Sequence, residues 1–260
     1  MLSTQINMAP KKIISLVPSQ TELLYYLGLD EEVIGITKFC IHPNKWFRNK
    51  TRVGGVKSID SNKIISLQPD LIIANKEENI KEQIEHLQKL FPVHVTDVST
   101  LAEAYEMIDT IGTLTHTQAK AINLINDIKN CFSSLHNTHK QPKKVCYLIW
   151  RNPYMTIGGD TFINDMLQQA GFINIFKEQT RYPTTTLEEI NYLQPDYIFL
   201  SSEPYPFKEK HIAEIQTAYP QLYPKLKLVD GEMFTWYGSR LLKSVAYFKQ
   251  LSQELINIKR

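Results

Sequence analysis

Across 260 residues, 29 Lys and Arg stand against 27 Asp and Glu, a formal charge of +2 at pH 7, which is no electrostatic footprint for nucleic acid or an anionic membrane. No apolar run approaches the roughly 18 residues needed to span a bilayer. The opening MLSTQINMAP has neither a basic n-region nor an apolar h-region, so a soluble chain without an export signal is expected. Three cysteines, Cys40, Cys131 and Cys146, are an odd number without metal-ligand spacing; Cys131 and Cys146 lie in apolar patterns that suit small buried hydrophobes.

In chain order, IISLV at 13 to 17 is a continuous apolar run that suits a parallel strand covered on both faces. Pro18, Ser19, Gln20, Thr21 and Glu22 then read as a helix start, Ser19 and Glu22 having capping-box spacing. Leu23, Leu24 and Leu27 supply the buried stripe, and Gly28 is the C-cap. After the strand VIGIT come Phe39, Cys40, Ile41, His42 and Pro43. The run IISLQPDLII at 64 to 73 is a helix end, a stop at Pro69 and a new strand. Thr100 and Glu103 open a short amphipathic helix that falters near Gly112, and residues 117 to 136 resume helical spacing through Ala121, Leu124, Ile125, Ile128, Phe132 and Leu135.

The chain then repeats itself. KKVCYL at 143 to 148 echoes KKIISL at 11 to 16, MLQQAGF at 166 to 172 echoes LLYYLGL at 23 to 29, and INYLQPDYIF at 190 to 199 matches IISLQPDLII at six of ten positions. The spacing between copies is the size of a lobe, far beyond solenoid repeats. Gly171 is a second C-cap, and Thr186 with Glu189 a second capping box before Pro195. Strands alternating with helices predict an α/β fold of two lobes with parallel-type sheets. The expected division is an N-terminal lobe at 1 to 98, a linking segment with one long backbone helix at 99 to 141, and a C-terminal lobe at 142 to 260. Gly158, Gly159, Asp160 and Thr161 lack the surroundings of a phosphate loop, and Asp160 reads as an N-cap. No paired carboxylates, and no nucleophile with a base, stand at readable spacing, so no catalytic residues are assigned.

Six segments in order, KKIISLVPSQTELLYYLGL, VIGITKFCIHP, RVGGVKSIDSNKIISLQPDLIIA, TIGGDTFINDMLQQAGFINIF, LQPDYIFLSSEPYPF and DGEMFTWYGSRL, resemble the helical-backbone substrate-binding proteins of ABC importers, and within them the cobalamin-binding branch. The resemblance covers almost the whole chain. It implies the class III periplasmic-binding-protein fold, no enzymatic activity and no catalytic cofactor. The implied cargo is a small-molecule metal complex held between the lobes, cobalamin first, with a ferric siderophore or haem as alternatives. The implied partner is an ABC permease, and the protein is expected as a monomer that binds no nucleic acid. By resemblance it works in the periplasm or cell envelope; a cytoplasmic corrinoid-handling or sensing protein is the alternative consistent with the missing leader. From another class, a two-lobed nucleotide-dependent transferase would need a glycine-rich phosphate loop.

Ligand places in such folds are the loops leaving the carboxyl ends of strands. Phe234, Trp236, Tyr237 and Arg240 form the strongest candidate set, since aromatic faces and a guanidinium suit a flat macrocycle with polar edges. Phe39 and His42 follow VIGIT, and an imidazole or the Cys40 thiolate there could meet a metal axially, with no closed metal site assigned. Tyr154, in the loop of Arg151, Asn152 and Pro153, faces Ser19 and Gln20 across the repeat; Arg151 alone reads as a surface ion pair. Where the cobalamin-binding branch has tryptophans, this chain has Asn75 and Met233. The resemblance also implies one acidic docking residue per lobe for the permease, Glu82 and Glu209.

Overall fold

The repeated LQPD is the same junction built twice. In a computed structural model that describes residues 8–135 and 142–257, helices Ser61–Leu67 and Leu187–Leu193 each end on a glutamine in the left-handed region, Gln68 at φ 51° and Gln194 at φ 46°. The following proline cannot continue the helix. The aspartate then turns back to the strand opposite: Asp70 Oδ2 accepts the backbone N–H of Lys11 at 2.9 Å and of Lys12 at 3.0 Å, and Asp196 Oδ2 accepts that of Lys144 at 2.9 Å. Each aspartate's own N–H donates back, to Lys12 O or Lys144 O, at 2.8 Å. The LQPD and KK echoes are therefore one device, a carboxylate latch that registers each lobe's first strand on its neighbour.

Two α/β units result. The first comprises the described residues of Met1–Val98, together with Ala102–Asp127 and Trp236–Arg240. Its elements are β1 (Ile13–Ser15), α1 (Pro18–Leu27), β2 (Val33–Ile36), α2 (Asn44–Asn49), β3 (Thr51–Arg52), α3 (Ser61–Leu67), β4 (Leu71–Asn75), α4 (Lys81–Gln88) and β5 (Val93–Thr96), followed by α5 (Leu101–Leu114) and α6 (Gln118–Ser133). The strands form a parallel sheet in the order β3-β2-β1-β4-β5. Under it, Ile14, Leu16, Ile64, Ile72, Ala74, Ile84 and Leu87 form a buried core. Gly28, at φ 87°, ends α1, and Lys120 of α6 donates to the Leu27 carbonyl at 2.8 Å.

The linking region is two helices, as the faltering near Gly112 and the resumption from 117 lead one to expect. The chain breaks at Thr115–Thr117, where Thr115 Oγ1 bonds the Ile111 carbonyl and Thr117 Oγ1, leaving α5 and α6 as separate helices. Residues 102–127, expected in the link, belong to the first unit's packing, with Ala104, Ile108, Ile111, Ala121 and Leu124 fully buried. Helix α6 carries the chain onward into the second unit. The last residues of the expected link, 136 to 141, lie outside the described residues.

The second unit comprises Ser99–Leu101, Ile128–Thr235 and Leu241–Arg260 in their described residues. It holds β6 (Lys143–Leu148), β7 (Tyr154–Met155), α7 (Phe162–Gln169), β8 (Phe172–Asn174), β9 (Thr184–Thr185), α8 (Leu187–Leu193), β10 (Tyr197–Ser201), α9 (Glu209–Ala218), β11 (Leu226–Val229), α10 (Glu232–Thr235) and α11 (Leu241–Asn257). Its main sheet is parallel, ordered β11-β10-β6-β8, and β7 and β9 form a small antiparallel ribbon. One sheet face is covered by Ile190, Phe207, Ile215 and Leu222. Tyr147, Phe172, Phe199, Phe234 and Phe248 interlock as an aromatic core, with ring centroids 4.8 to 6.5 Å apart.

Two helix starts differ from expectation. Pro18 occupies the first turn of α1 and makes Val17, in extended conformation, the N-cap with no side-chain bond; Ser19 consequently falls inside the helix. In the second unit Thr161 caps α7 by accepting the Asn164 N–H, while Asp160 accepts the Arg181 N–H instead. Thr186 caps α8 as expected.

Candidate functional site

All five strands of the first sheet are parallel, so their carboxyl ends share one edge, and the segments leaving that edge carry Ser19, Gln20, Phe39 and His42. Ser19 and Gln20 lie in the first turn of α1 and are buried. The segment Trp236–Arg240 packs on the same helix. A Cβ placed on Gly238, at φ 115°, would lie 3.3 Å from Leu23 Cβ and 3.6 Å from the Ser19 carbonyl, so close approach and positive φ both call for glycine. Glu22, freed from any capping role, accepts two N–H groups of Arg240. The guanidinium carbon stands 4.7 Å above the Trp236 ring.

Trp236 and Tyr237 are 6% and 8% exposed. From the loop after β2, the half-buried His42 meets Trp236 edge to face at 5.5 Å. Phe39 is half exposed, with Lys38 Nζ 5.2 Å over its ring. Cys40 points inward: its sulfur is held by Thr21 Oγ1 at 3.1 Å and Thr37 Oγ1 at 3.2 Å, and burial pushes the thiol pKa up. It is a packed thiol and not a thiolate.

A buried polar network runs behind these loops. Asn75 is 2% exposed. Its Nδ2 donates to Thr96 O at 3.0 Å and Thr96 Oγ1 at 3.1 Å, and its Oδ1 accepts the N–H groups of Glu77 and Glu78. Asn79 answers by accepting the Asn75 N–H at 2.9 Å. The asparagine thus shapes the loop after β4 rather than offering a ring. Gln20 Nε2 donates to the same Thr96 hydroxyl, while Gln20 Oε1 and Ser239 Oγ are buried with no hydrogen-bond partner among the described residues.

In the second unit, Phe234 is fully buried in the aromatic core, and Met233 beside it is half buried. Tyr154 begins β7 and is half buried, next to Arg151, which pairs with Glu214. Two aromatic residues not singled out from the sequence stand at strand carboxyl ends: Trp150, 41% exposed after β6, and Tyr205 after β10, edge to face at 5.7 Å. The signal was present, since Trp150 ends the apolar run 145 to 150 and Tyr205 interrupts a proline-rich loop. Glu82 and Glu209 are exposed in the first turns of α4 and α9. Among the described residues no three His, Cys, Asp or Glu side chains converge as a metal site.

A family profile described as periplasmic binding protein matches residues 13–221. The chain belongs to this family. Its members are the non-catalytic substrate-binding components of ABC transporters, working in the periplasm or cell envelope, which sets aside the nucleotide-dependent transferase. The chain is 29% identical over 255 residues to an uncharacterized ABC transporter substrate-binding lipoprotein, YvrC, of Bacillus subtilis (strain 168), covering 92% of this chain and 79% of that protein. It is 24% identical over 269 residues to a vitamin B12-binding protein of Pectobacterium atrosepticum, covering 100% and 93%. The periplasmic vitamin B12 binding protein BtuF of Vibrio cholerae superposes with a TM-score of 0.80 at 22% identity, covering 96% and 98%. The apo periplasmic heme-binding protein RhuT of Roseiflexus sp. RS-1 does so with 0.80 at 16%, covering 96% and 99%. These likenesses establish the fold, two α/β lobes with parallel sheets and a connecting helix.

Proposed function

We propose that this protein captures a corrinoid, with cobalamin the leading candidate, and delivers it to an ABC permease. The observation that carries the reading is the meeting of His42, Trp236 and Arg240 at the carboxyl edge of the first sheet, where open α/β sheets take ligands. Aromatic faces lose little rotamer entropy on binding a large rigid complex, and they suit its apolar surface. Curated relatives called vitamin B12-binding proteins, matched over most of the chain, support the same cargo. Tyr237, Phe39, Tyr154, Ser19 and Gln20 are proposed to complete the contacts, whereas Phe234, fully buried in the second unit's aromatic core, is withdrawn from them. Glu82 and Glu209 are proposed as the docking charges, one on each unit.

A second reading, haem, is favoured by the half-buried imidazole of His42, a group able to take an axial position on a metalloporphyrin. Titration with cyanocobalamin, haemin and ferric siderophores, followed by visible absorbance and calorimetry, tests both. Saturable binding of cyanocobalamin, tighter than the others, supports the first reading. Uptake of haemin alone, with a Soret shift abolished by His42→Ala, would replace it with the second.

A further inference from the structure

The hydroxyl of Thr96 fixes which way the Gln20 amide points. Its single proton goes to the Ala74 carbonyl at 3.1 Å, so its lone pairs must accept, and they take Asn75 Nδ2 and Gln20 Nε2. With that proton on the Ala74 carbonyl, the Gln20 amide presents Nε2 to Thr96 and turns Oε1 away from it. In this arrangement Gln20 Oε1 is the acceptor left over. It is fully buried, and no donor among the described residues reaches it.

Burying a carbonyl oxygen without a donor is costly, so such a group marks a place where a donor belongs. The position is apt. Gln20 lies in the first turn of α1, a helix with no side-chain cap, at the carboxyl edge of the sheet, so the turn also has backbone N–H groups without intrahelical acceptors. A primary carboxamide answers both needs, giving an N–H to the glutamine and a carbonyl to the helix start. An ionised carboxylate offers no proton and would set its charge against Gln20 Oε1.

We propose that Gln20 is a specificity-determining residue whose Oε1 accepts an N–H from a carboxamide side chain of the cargo, selecting amide-bearing complexes over carboxylate-bearing ones. This rests on the corrinoid reading, since a corrin carries carboxamides on its rim whereas haem carries propionates. Asn75 and Thr96 act as positioning residues that hold the glutamine in its accepting orientation.

The test uses wild-type protein and the Gln20→Leu variant, each shown folded by circular dichroism and a thermal melt, with Gln20→Met as the replacement if leucine is not accommodated. Cyanocobalamin is compared with its monocarboxylate derivatives, in which one side-chain amide is hydrolysed. Wild type is expected to bind at least one of these regioisomers about tenfold more weakly than the parent, the worth of roughly one hydrogen bond. Gln20→Leu is expected to lose about tenfold for the parent and to discriminate no further against that regioisomer. Equal wild-type affinity for parent and every monocarboxylate, or an unchanged affinity in the folded variant, overturns the role of Gln20 and leaves the corrinoid reading standing. A wild type that takes haemin and ignores cyanocobalamin overturns both.

Discussion

The guanidinium of Arg240 and the carboxylate of Glu22 form a two-point pair far apart in sequence, Nε to Oε2 at 2.8 Å and Nη2 to Oε1 at 3.0 Å, with side chains 6% and 14% exposed. Planar fork meets planar carboxylate, the geometry in which arginine outperforms lysine. The pair anchors Trp236–Arg240 to α1, so the aromatic loop is located by electrostatics as well as packing. Removing one partner strands the other charge in a dry site, so Arg240→Ala is expected to cost about 3 kcal/mol in urea denaturation. The double variant Glu22→Leu, Arg240→Met should recover most of that loss. An Arg240→Ala protein as stable as wild type would show that the guanidinium serves a ligand alone.

Trp236 is proposed as the main apolar anchor for the cargo, and it is also nearly buried between His42 and Arg240. Trp236→Ala should therefore act twice. Affinity for cyanocobalamin is expected to fall about 30-fold or more, near 2 kcal/mol, and the melting temperature should drop, because truncating a buried aromatic typically costs about 3 kcal/mol or more. Trp236→Phe keeps an aromatic face and should recover stability more fully than affinity. Calorimetric titration of proteins confirmed folded separates the two; a folded alanine variant with wild-type affinity would return Trp236 to a purely structural role.

Glu82 and Glu209 occupy the first turns of α4 and α9, exposed and well placed to favour the positive helix ends. Their positions match across the repeat, which supports one docking charge per unit. Reversing both to lysine should cost about 1 kcal/mol or less each in stability and leave cargo affinity unchanged, while transport in a reconstituted importer falls by an order of magnitude or more. Intact transport by the double reversal would remove these residues from the docking surface.

The duplicated latch makes a separate prediction. Asp70 accepts the backbone N–H groups of Lys11 and Lys12, and Asp196 accepts that of Lys144 with Lys143 Nζ at 3.6 Å. Both carboxylates keep some solvent contact, so Asp70→Ala and Asp196→Ala are each expected to cost about 1 to 2 kcal/mol. Urea midpoints for the two single variants check this, and a midpoint unchanged in either would remove that carboxylate from the latch.

The repeat was legible because it is written in residues whose chemistry is local: a proline that forbids, a glycine that permits, an aspartate that latches. What stayed hidden depends on partners distant in sequence. Ser19 and Glu22 carry capping-box spacing, but Pro18 opens the helix and moves the N-cap from Ser19 to Val17, and Glu22 instead meets Arg240, more than 200 residues away. Asn75 could be seen to replace a tryptophan, yet not that all its hydrogen-bonding groups turn inward to Thr96, Glu77 and Glu78. Phe234 and Trp236 look alike in the sequence FTWYGSR, although one closes the second unit's core and the other packs with the first unit. Neighbouring aromatics in a loop carry no periodicity to tell them apart.

His211 gives the protein a pH dependence whose sign follows from its bonds. Its Nδ1 accepts the Lys208 N–H at 2.9 Å at the start of α9, and its Nε2 lies 3.2 Å from the Tyr205 hydroxyl. The neutral tautomer with hydrogen on Nε2 satisfies both, whereas the imidazolium would set N–H against N–H. Burial first, then Arg151 and Lys210, hold the pKa below the ordinary histidine value, with Glu214 opposing. The unfolded chain therefore takes up this proton more readily than the folded one. Stability from the neutral ring is complete above the unfolded pKa, near 6.5, and is lost as pH falls from there toward the lower folded pKa. His94, half buried with its pKa also lowered by burial, adds a loss of the same sign. The melting temperature should decline as pH is lowered from about 7.5 to about 5.5. Because glutamine at this third helical position can still accept the Lys208 N–H, His211→Gln should fold and show a shallower decline, the His94 share remaining. Identical slopes for the two proteins would mean that His211 titrates as freely in the folded chain as in the unfolded one.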